Sequence, residues 1–148
     1  MVLAAQFAAI DEVRPGQPFD AAHHAAVRVI AEGLCALGLI HGDADTAIAE
    51  GSYQRFFPAK TGHWLGLDVH DVGDYRVDGE PRMLEPGMVV TVEPGIYVPP
   101  GDVSVAERWR GIGIRIEDDV AVTRDGNDVL TSGVPKDADE IEALLAAR

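Results

Sequence analysis

The sequence predicts an α+β fold in which one antiparallel sheet carries helices on one face, and three observations lead there. Helical periodicity fills the early chain and strand-like alternation the stretch after Met88, so helices come first and strands afterwards. The 148 residues are one domain's length, and 47% hydrophobic content is enough for a buried core. The strand segments alternate with period two, Val90 and Val92 pointing one way and Thr91 and Glu93 the other. Residues 1–148 are therefore read as one domain.

Taken in order, Val2 to Val13 places Leu3, Phe7 and Ile10 at helical spacing and stops at Arg14-Pro15-Gly16. Asp20 is expected to cap a longer helix to about Leu37, with Val27, Ile30, Leu34 and Leu37 as its buried stripe and His24, Arg28 and Glu32 as its wet one. Gly38 is placed to end it. Asp43 caps a short helix through Glu50, and the chain is then irregular to extended up to Leu67, with Tyr53, Phe56 and Phe57 as packing residues. Asp74 to Pro86 reads as a polar loop, Met88 to Glu93 as a buried strand ended by Pro94-Gly95, and Pro99 to Arg110 as a second loop. Gly111 to Val122 reads as one long strand with Ile112, Ile114 and Ile116 in the core and Gly113, Arg115 and Glu117 on the opposite face. A turn at Arg124–Asn127 leads into a short returning strand, Asp128 to Leu130. Asp137 to Ala147 closes the chain as a helix, with Asp137 and Glu140 at capping-box spacing.

Composition excludes several functions. With 12 basic and 25 acidic side chains the net charge is −13, which argues against nucleic acid or an anionic membrane as partner and favours cations. The single cysteine, Cys35, sits in an apolar helical pattern, so no intrachain disulfide forms and a reducing cytoplasm is the simplest home. No signal peptide, membrane span, internal repeat or low-complexity tract is evident.

One imidazole and two carboxylates stand out. His63, Glu93 and Glu117 lie on strand-like segments too far apart in sequence for one helix face or hairpin, so only a folded sheet brings them together. Each has an ordinary alternative: Glu93 as a rim carboxylate, His63 as a hydrogen-bonded histidine, Glu117 as half of a structural pair with Arg115. Together they form a ligand set suited to zinc, cobalt or manganese.

The runs His63-Trp64-Leu65-Gly66-Leu67-Asp68-Val69-His70-Asp71-Val72-Gly73, Leu84-Glu85-Pro86-Gly87-Met88, Thr91-Val92-Glu93-Pro94-Gly95-Ile96-Tyr97 and Arg110 to Asp119 closely resemble the C-terminal part of the Xaa-Pro aminopeptidases. These are pita-bread metallopeptidases related to prolidase and methionine aminopeptidase. The resemblance implies half of a pita-bread (creatinase/aminopeptidase-like) fold. It also implies two metal ions held by two aspartates, one histidine and two glutamates, with His63, Glu93 and Glu117 as three of those ligands. It places His70 beside the substrate as a catalytic group, and Arg115 and Tyr97 as outer support that orients ligands.

Two departures shape the functional expectation. The family's aspartates belong to a segment before Met1, and neither Asp11 nor Asp20, both in helical context, stands in for them. Where the family reads close to His-Gly-x-Gly-His, this chain has Ala59-Lys60-Thr61-Gly62-His63, losing an imidazole and placing a cation near the site. The expected protein is thus an Xaa-Pro aminopeptidase-like half-fold, inactive or strongly impaired, binding manganese, zinc or cobalt weakly or not at all. Its exposed surface predicts a homodimer. The alternative is an active metal-dependent enzyme cleaving the bond before proline in a peptide.

Overall fold

The computed structural model describes residues 1–147. Three helices come first: α1 (Val2–Glu12), α2 (Ala21–Ala36) and α3 (Ala44–Glu50). Seven short strands follow: β1 (Arg76–Val77), β2 (Glu80–Pro81), β3 (Val89–Val92), β4 (Gly95–Tyr97), β5 (Gly113–Arg115), β6 (Asp118–Val122) and β7 (Asn127–Val129). Helix α4 (Ala138–Ala146) closes the chain. All strand pairs are antiparallel, with β3, β6 and β7 in one sheet and β4–β5 and β1–β2 as separate two-stranded ribbons.

The helices form where the apolar spacing places them, but α1 turns Phe7 outward, 56% exposed, and leaves Leu3 and Ile10 only partly buried, so the Leu3-Phe7-Ile10 spacing marks the helix and not its core face. α1 buries Val2, Ala5 and Ala9, and α2 buries Val27, Ile30 and Leu34, so the two pack against each other and α1 against β3. Leu37, expected in the buried stripe, is 40% exposed, because α2 ends at Ala36 and Gly38 turns the chain away with φ +70. Asp20 precedes α2 in helical conformation and makes no side-chain cap bond, whereas Asp43 accepts from Thr46 N–H and Asp137 from Asp139 and Glu140 N–H. Phe56 and Phe57 are fully buried and Tyr53 packs on the same core, as packing residues should. Among the described residues no helix is long and apolar enough to cross a membrane.

The long strand expected from Gly111 to Val122 is broken at Ile116-Glu117 into β5 and β6. Its partner breaks at the same level, at Glu93-Pro94, between β3 and β4. Pro94 has no N–H to donate, so one rung is lost on both ribbons. The bond from Ile116 N–H to the Pro94 carbonyl, at 3.3 Å, spans the gap. Ile114, expected in the core, is 45% exposed, because β5 is the outer strand of its ribbon and exposed throughout, whereas β4 is buried and tied to the core by the bond from Tyr97 N–H to the Phe56 carbonyl at 2.8 Å. The polar loop expected from Asp74 to Pro86 contains the β1–β2 hairpin, whose turn is Asp78-Gly79 with φ of 52 and 87.

A buried carboxylate locks the start of β6 to the rest of the domain. Asp118, 2% exposed, accepts from Gln6 of α1 at 2.9 Å and from Thr131 at 2.5 Å, and pairs with Lys136 at 2.9 Å. The residue before it is Glu117.

Candidate metal centre

Four segments meet at one end of the sheet. Thr61–Leu65 lies beside β3 like an extra edge, through bonds from Leu65 N–H to Val89 carbonyl (3.1 Å), Thr91 N–H to His63 carbonyl (3.0 Å) and Glu93 N–H to Thr61 carbonyl (2.6 Å). On the other side β3 pairs with β6, Val92 facing Asp118, and β4 pairs with β5, Gly95 facing Arg115. The register carries through the break without slipping, so Glu93 stands opposite Glu117. His63, Glu93 and Glu117 therefore form a row across three neighbouring backbone segments.

His63 Nε2 lies 3.2 Å from Glu93 Oε1. The other ring nitrogen, Nδ1, is 2.9 Å from the carbonyl of Trp64, which can only accept, so Nδ1 carries the proton. In the neutral ring Nε2 then presents a lone pair to a carboxylate oxygen, and only a positive charge between or on them makes that contact favourable. This arrangement orients a histidine for a metal ion. Thr91 secures it, its Oγ1 accepting from His63 N–H and donating to Glu93 Oε1, both at 3.0 Å. Arg115 Nε stands 3.8 Å from the other Glu93 oxygen, with its guanidinium over the Tyr97 ring at 5.5 Å. Arg115 thus reaches Glu93 across the ribbon and not Glu117 beside it.

Glu117 is exposed and makes no ion pair within 4 Å among the described residues. Partial burial, then the Glu93 and Asp119 carboxylates, hold its pKa above the ordinary value, while Arg115 and His63 oppose them. A like charge directly across a ribbon is destabilising. No group of three or more His, Cys, Asp or Glu among the described residues stands closely enough to enclose an ion. The donor chemistry fits a divalent cation, with the His63–Glu93 pair assembled and Glu117 beside it.

His70 meets the His63 ring edge-on at 4.3 Å between centroids. Both line a cavity of about 590 Å³ with Glu93, Thr91, Phe19, Tyr75 and His23. Phe19 and Tyr75 form its aromatic wall, edge to face at 4.9 Å between centroids, and Trp64 packs against both rings at 4.7 and 5.7 Å. His23, on α2, is a site residue that the sequence did not single out. Its Nδ1 is 2.8 Å from Thr61 Oγ1. Burial lowers its pKa to about 4, with the Lys60 and His24 charges adding to the shift and Asp20 opposing it. Neither Thr61 nor Phe19 carried a sequence signal beyond proximity to His63 or Asp20.

Residues 1–124 match metallopeptidase family M24. The chain is similar to a Xaa-Pro aminopeptidase of Haemophilus influenzae, 48% identical over 145 residues that make up 98% of this chain and 33% of that protein. It is 52% identical to the Xaa-Pro aminopeptidase of Escherichia coli over 134 residues, 90% of this chain and 30% of that one. Among solved structures, Pseudomonas aeruginosa aminopeptidase PepP superposes with a TM-score of 0.97 at 60% identity, covering 99% of this chain and 33% of that chain. Escherichia coli aminopeptidase P with the inhibitor Pro-Leu gives 0.92 at 49% identity, with 99% and 33% covered. The fold is therefore the pita-bread fold of aminopeptidase P, and the chain spans about a third of the length of these relatives.

Proposed function

The chain belongs to metallopeptidase family M24, and on that premise we propose that it forms one wall of an Xaa-Pro aminopeptidase-like site. His63, Glu93 and Glu117 are its metal-ligand positions, for manganese, zinc or cobalt. On their own these 148 residues bind the ion weakly and are inactive or strongly impaired as a peptidase. The observation that carries the reading is the 3.2 Å approach of His63 Nε2 to Glu93 Oε1, with Glu117 in register across the ribbon. That arrangement suits a cation and supplies ligands from one side only, whereas a two-metal centre needs carboxylates that bridge from both.

A bound divalent ion would supply Lewis acidity at the scissile carbonyl and lower the pKa of a water. The chain's own residues do the rest. The Trp64 carbonyl fixes the His63 tautomer, Thr91 holds the His63 backbone N–H, Arg115 and Thr91 orient Glu93, and His70 faces the cavity where the carbonyl before proline would lie. The Phe19–Tyr75 wall offers the proline ring an apolar surface. The exposed Ile114, with Leu67, Val69 and Val72 at 103%, 70% and 89% exposure, suits a homodimer in a reducing cytoplasm.

Assaying a proline-containing dipeptide and tripeptide with excess manganese, cobalt or zinc tests this directly. Turnover at or near the blank is expected, and turnover that disappears in Glu117→Ala supports the second reading, an active single-ion enzyme built on three ligands. In the same buffers, millimolar manganese should raise the melting temperature by about 1–2 °C, the mass-action effect of a millimolar ligand. His63→Ala should lose that rise. Light scattering tests the dimer.

A further inference from the structure

Inside an acidic chain, the cavity beside His63 and Glu93 is lined by two cations that have no carboxylate partner. Lys60 enters from the loop before His63, and Arg76 from β1 in the β1–β2 hairpin. Among the described residues neither lies within 4 Å of an acidic oxygen. The ion pairs instead join Arg28 to Asp45, Arg55 to Asp102, Arg115 to Glu93, and Lys136 to Asp118. Arg76 is fixed by one guanidinium bond to the Gly79 carbonyl at 2.8 Å, which leaves its remaining donors free. The acids that share the cavity do not neutralise them. Glu93 is engaged by His63, Thr91 and Arg115, and Asp20 forms no ion pair among the described residues.

With a net charge of −13, most of this protein repels anions, so two unpaired cations facing one apolar-walled cavity are selective by contrast. We propose that Lys60, assisted by Arg76, binds the free α-carboxylate of a short proline-containing peptide, making the substrate class peptides that end close behind proline. This rests on the proposed peptide site and adds the end group that the site recognises. Length follows from geometry. A peptide residue advances the chain by roughly 3.5 Å, so only a carboxylate one or two residues beyond the scissile bond stays inside a cavity of about 590 Å³. A longer peptide would present a neutral amide to Lys60 at that point. The same cation weakens metal binding nearby, and a bound carboxylate would screen it, so peptide and metal should assist each other's binding.

The carboxylate could be a chain terminus or an acidic side chain, and three probes separate the two: Pro-Leu, Pro-Leu amide and Pro-Glu amide. Calorimetric titration of each into the full chain with manganese present reads the preference. Pro-Leu should bind about tenfold more tightly than Pro-Leu amide, equivalent to about 1.4 kcal/mol. Pro-Glu amide should match Pro-Leu amide, and the discrimination should shrink as salt rises. In Lys60→Met, which keeps the apolar stem, the ratio should fall towards one, and in Lys60→Glu it should invert. Because Lys60 is exposed, both variants should keep the wild-type melting temperature. Equal binding of Pro-Leu and its amide, an unchanged ratio in Lys60→Met, or tighter binding of Pro-Glu amide would overturn the proposal and leave the peptide site standing. No binding by any of the three would overturn both.

Discussion

On one side of β3, Thr61–Leu65 is held by three backbone hydrogen bonds, its Thr61 is 2% exposed, and Gly62 rests directly on the Thr91 carbonyl. On the other side, Ile112–Glu117 crosses a break in its ribbon, Ile114 is 45% exposed, and Glu117 meets no cation within 4 Å among the described residues. The same candidate site thus has a locked wall carrying His63 and a loose wall carrying Glu117. The difference follows from what lies behind each. Helix α2 braces the first through His23 and Thr61, while β5, which leads into the second, is the exposed outer strand of the β4–β5 ribbon. Ligand positions are fixed where the fold supplies an outer layer and remain adjustable where it does not.

The largest effect expected from this contrast comes from a methyl group added to each wall. In Gly62→Ala the new Cβ would collide with the Thr91 carbonyl, a backbone atom that cannot swing aside. The cost should be about 3 kcal/mol, seen as a fall of about 6–12 °C in melting temperature. In Gly113→Ala the Cβ meets Tyr97 Cδ1 at 3.5 Å, an ordinary contact, and stability should change by less than about 0.5 kcal/mol. Equal losses in both variants would remove the distinction between the walls.

A smaller effect should come from titrating the brace. His23 is held neutral in the fold, its pKa lowered to about 4 by burial and then by Lys60 and His24, against an ordinary value of 6.5. Between those values the unfolded chain takes up a proton that the folded chain refuses. Stability is therefore lost as pH falls from 6.5 towards 4, and this histidine contributes no pH dependence above 6.5. For a partly exposed ring, solvent screening reduces the effect to about 1 kcal/mol. Denaturant titrations at pH 7 and pH 5 should show a shallower loss for His23→Gln than for the parent, and an identical slope would show that the ring does not brace the wall.

The contrast also explains which parts were legible in advance. His63, Glu93 and Glu117 could be grouped because Thr91 and Glu93 share a strand face and because four motifs fall in order along the chain. The break at Ile116-Glu117 was hidden, since Ile112, Ile114 and Ile116 alternate without interruption and its cause, Pro94, lies on the partner strand. Register is a tertiary fact. The exposure of Ile114 was illegible for a related reason: alternation marks an apolar face but not what covers it. His23 left no trace because its role depends on Thr61, reached only through the packing of α2. The Asp78-Gly79 turn was different, since that dipeptide is a hairpin signal and was obscured only by the polar residues around it.

The smallest effect expected lies on the loose wall and has the opposite sign. Glu117 faces Glu93 in register, and its carboxyl is held above the usual carboxylate range by partial burial and by the neighbouring Glu93 and Asp119 charges. A carboxylate whose folded pKa is raised disfavours the folded state once the pH is high enough to ionise it, so at neutral pH removing that charge should stabilise the protein. Glu117→Gln keeps the shape and deletes the charge. Its melting temperature at pH 7 should exceed the parent's by about 1 °C, and the gain should fade as the pH falls through 4.5, the ordinary value, and the parent's carboxyl takes up its proton. Manganese should reverse the order, raising the parent but not the variant, because only the parent offers the second carboxylate. A variant less stable than the parent without metal would mean that Glu117 is already satisfied within the fold and that the loose wall has no need of a cation.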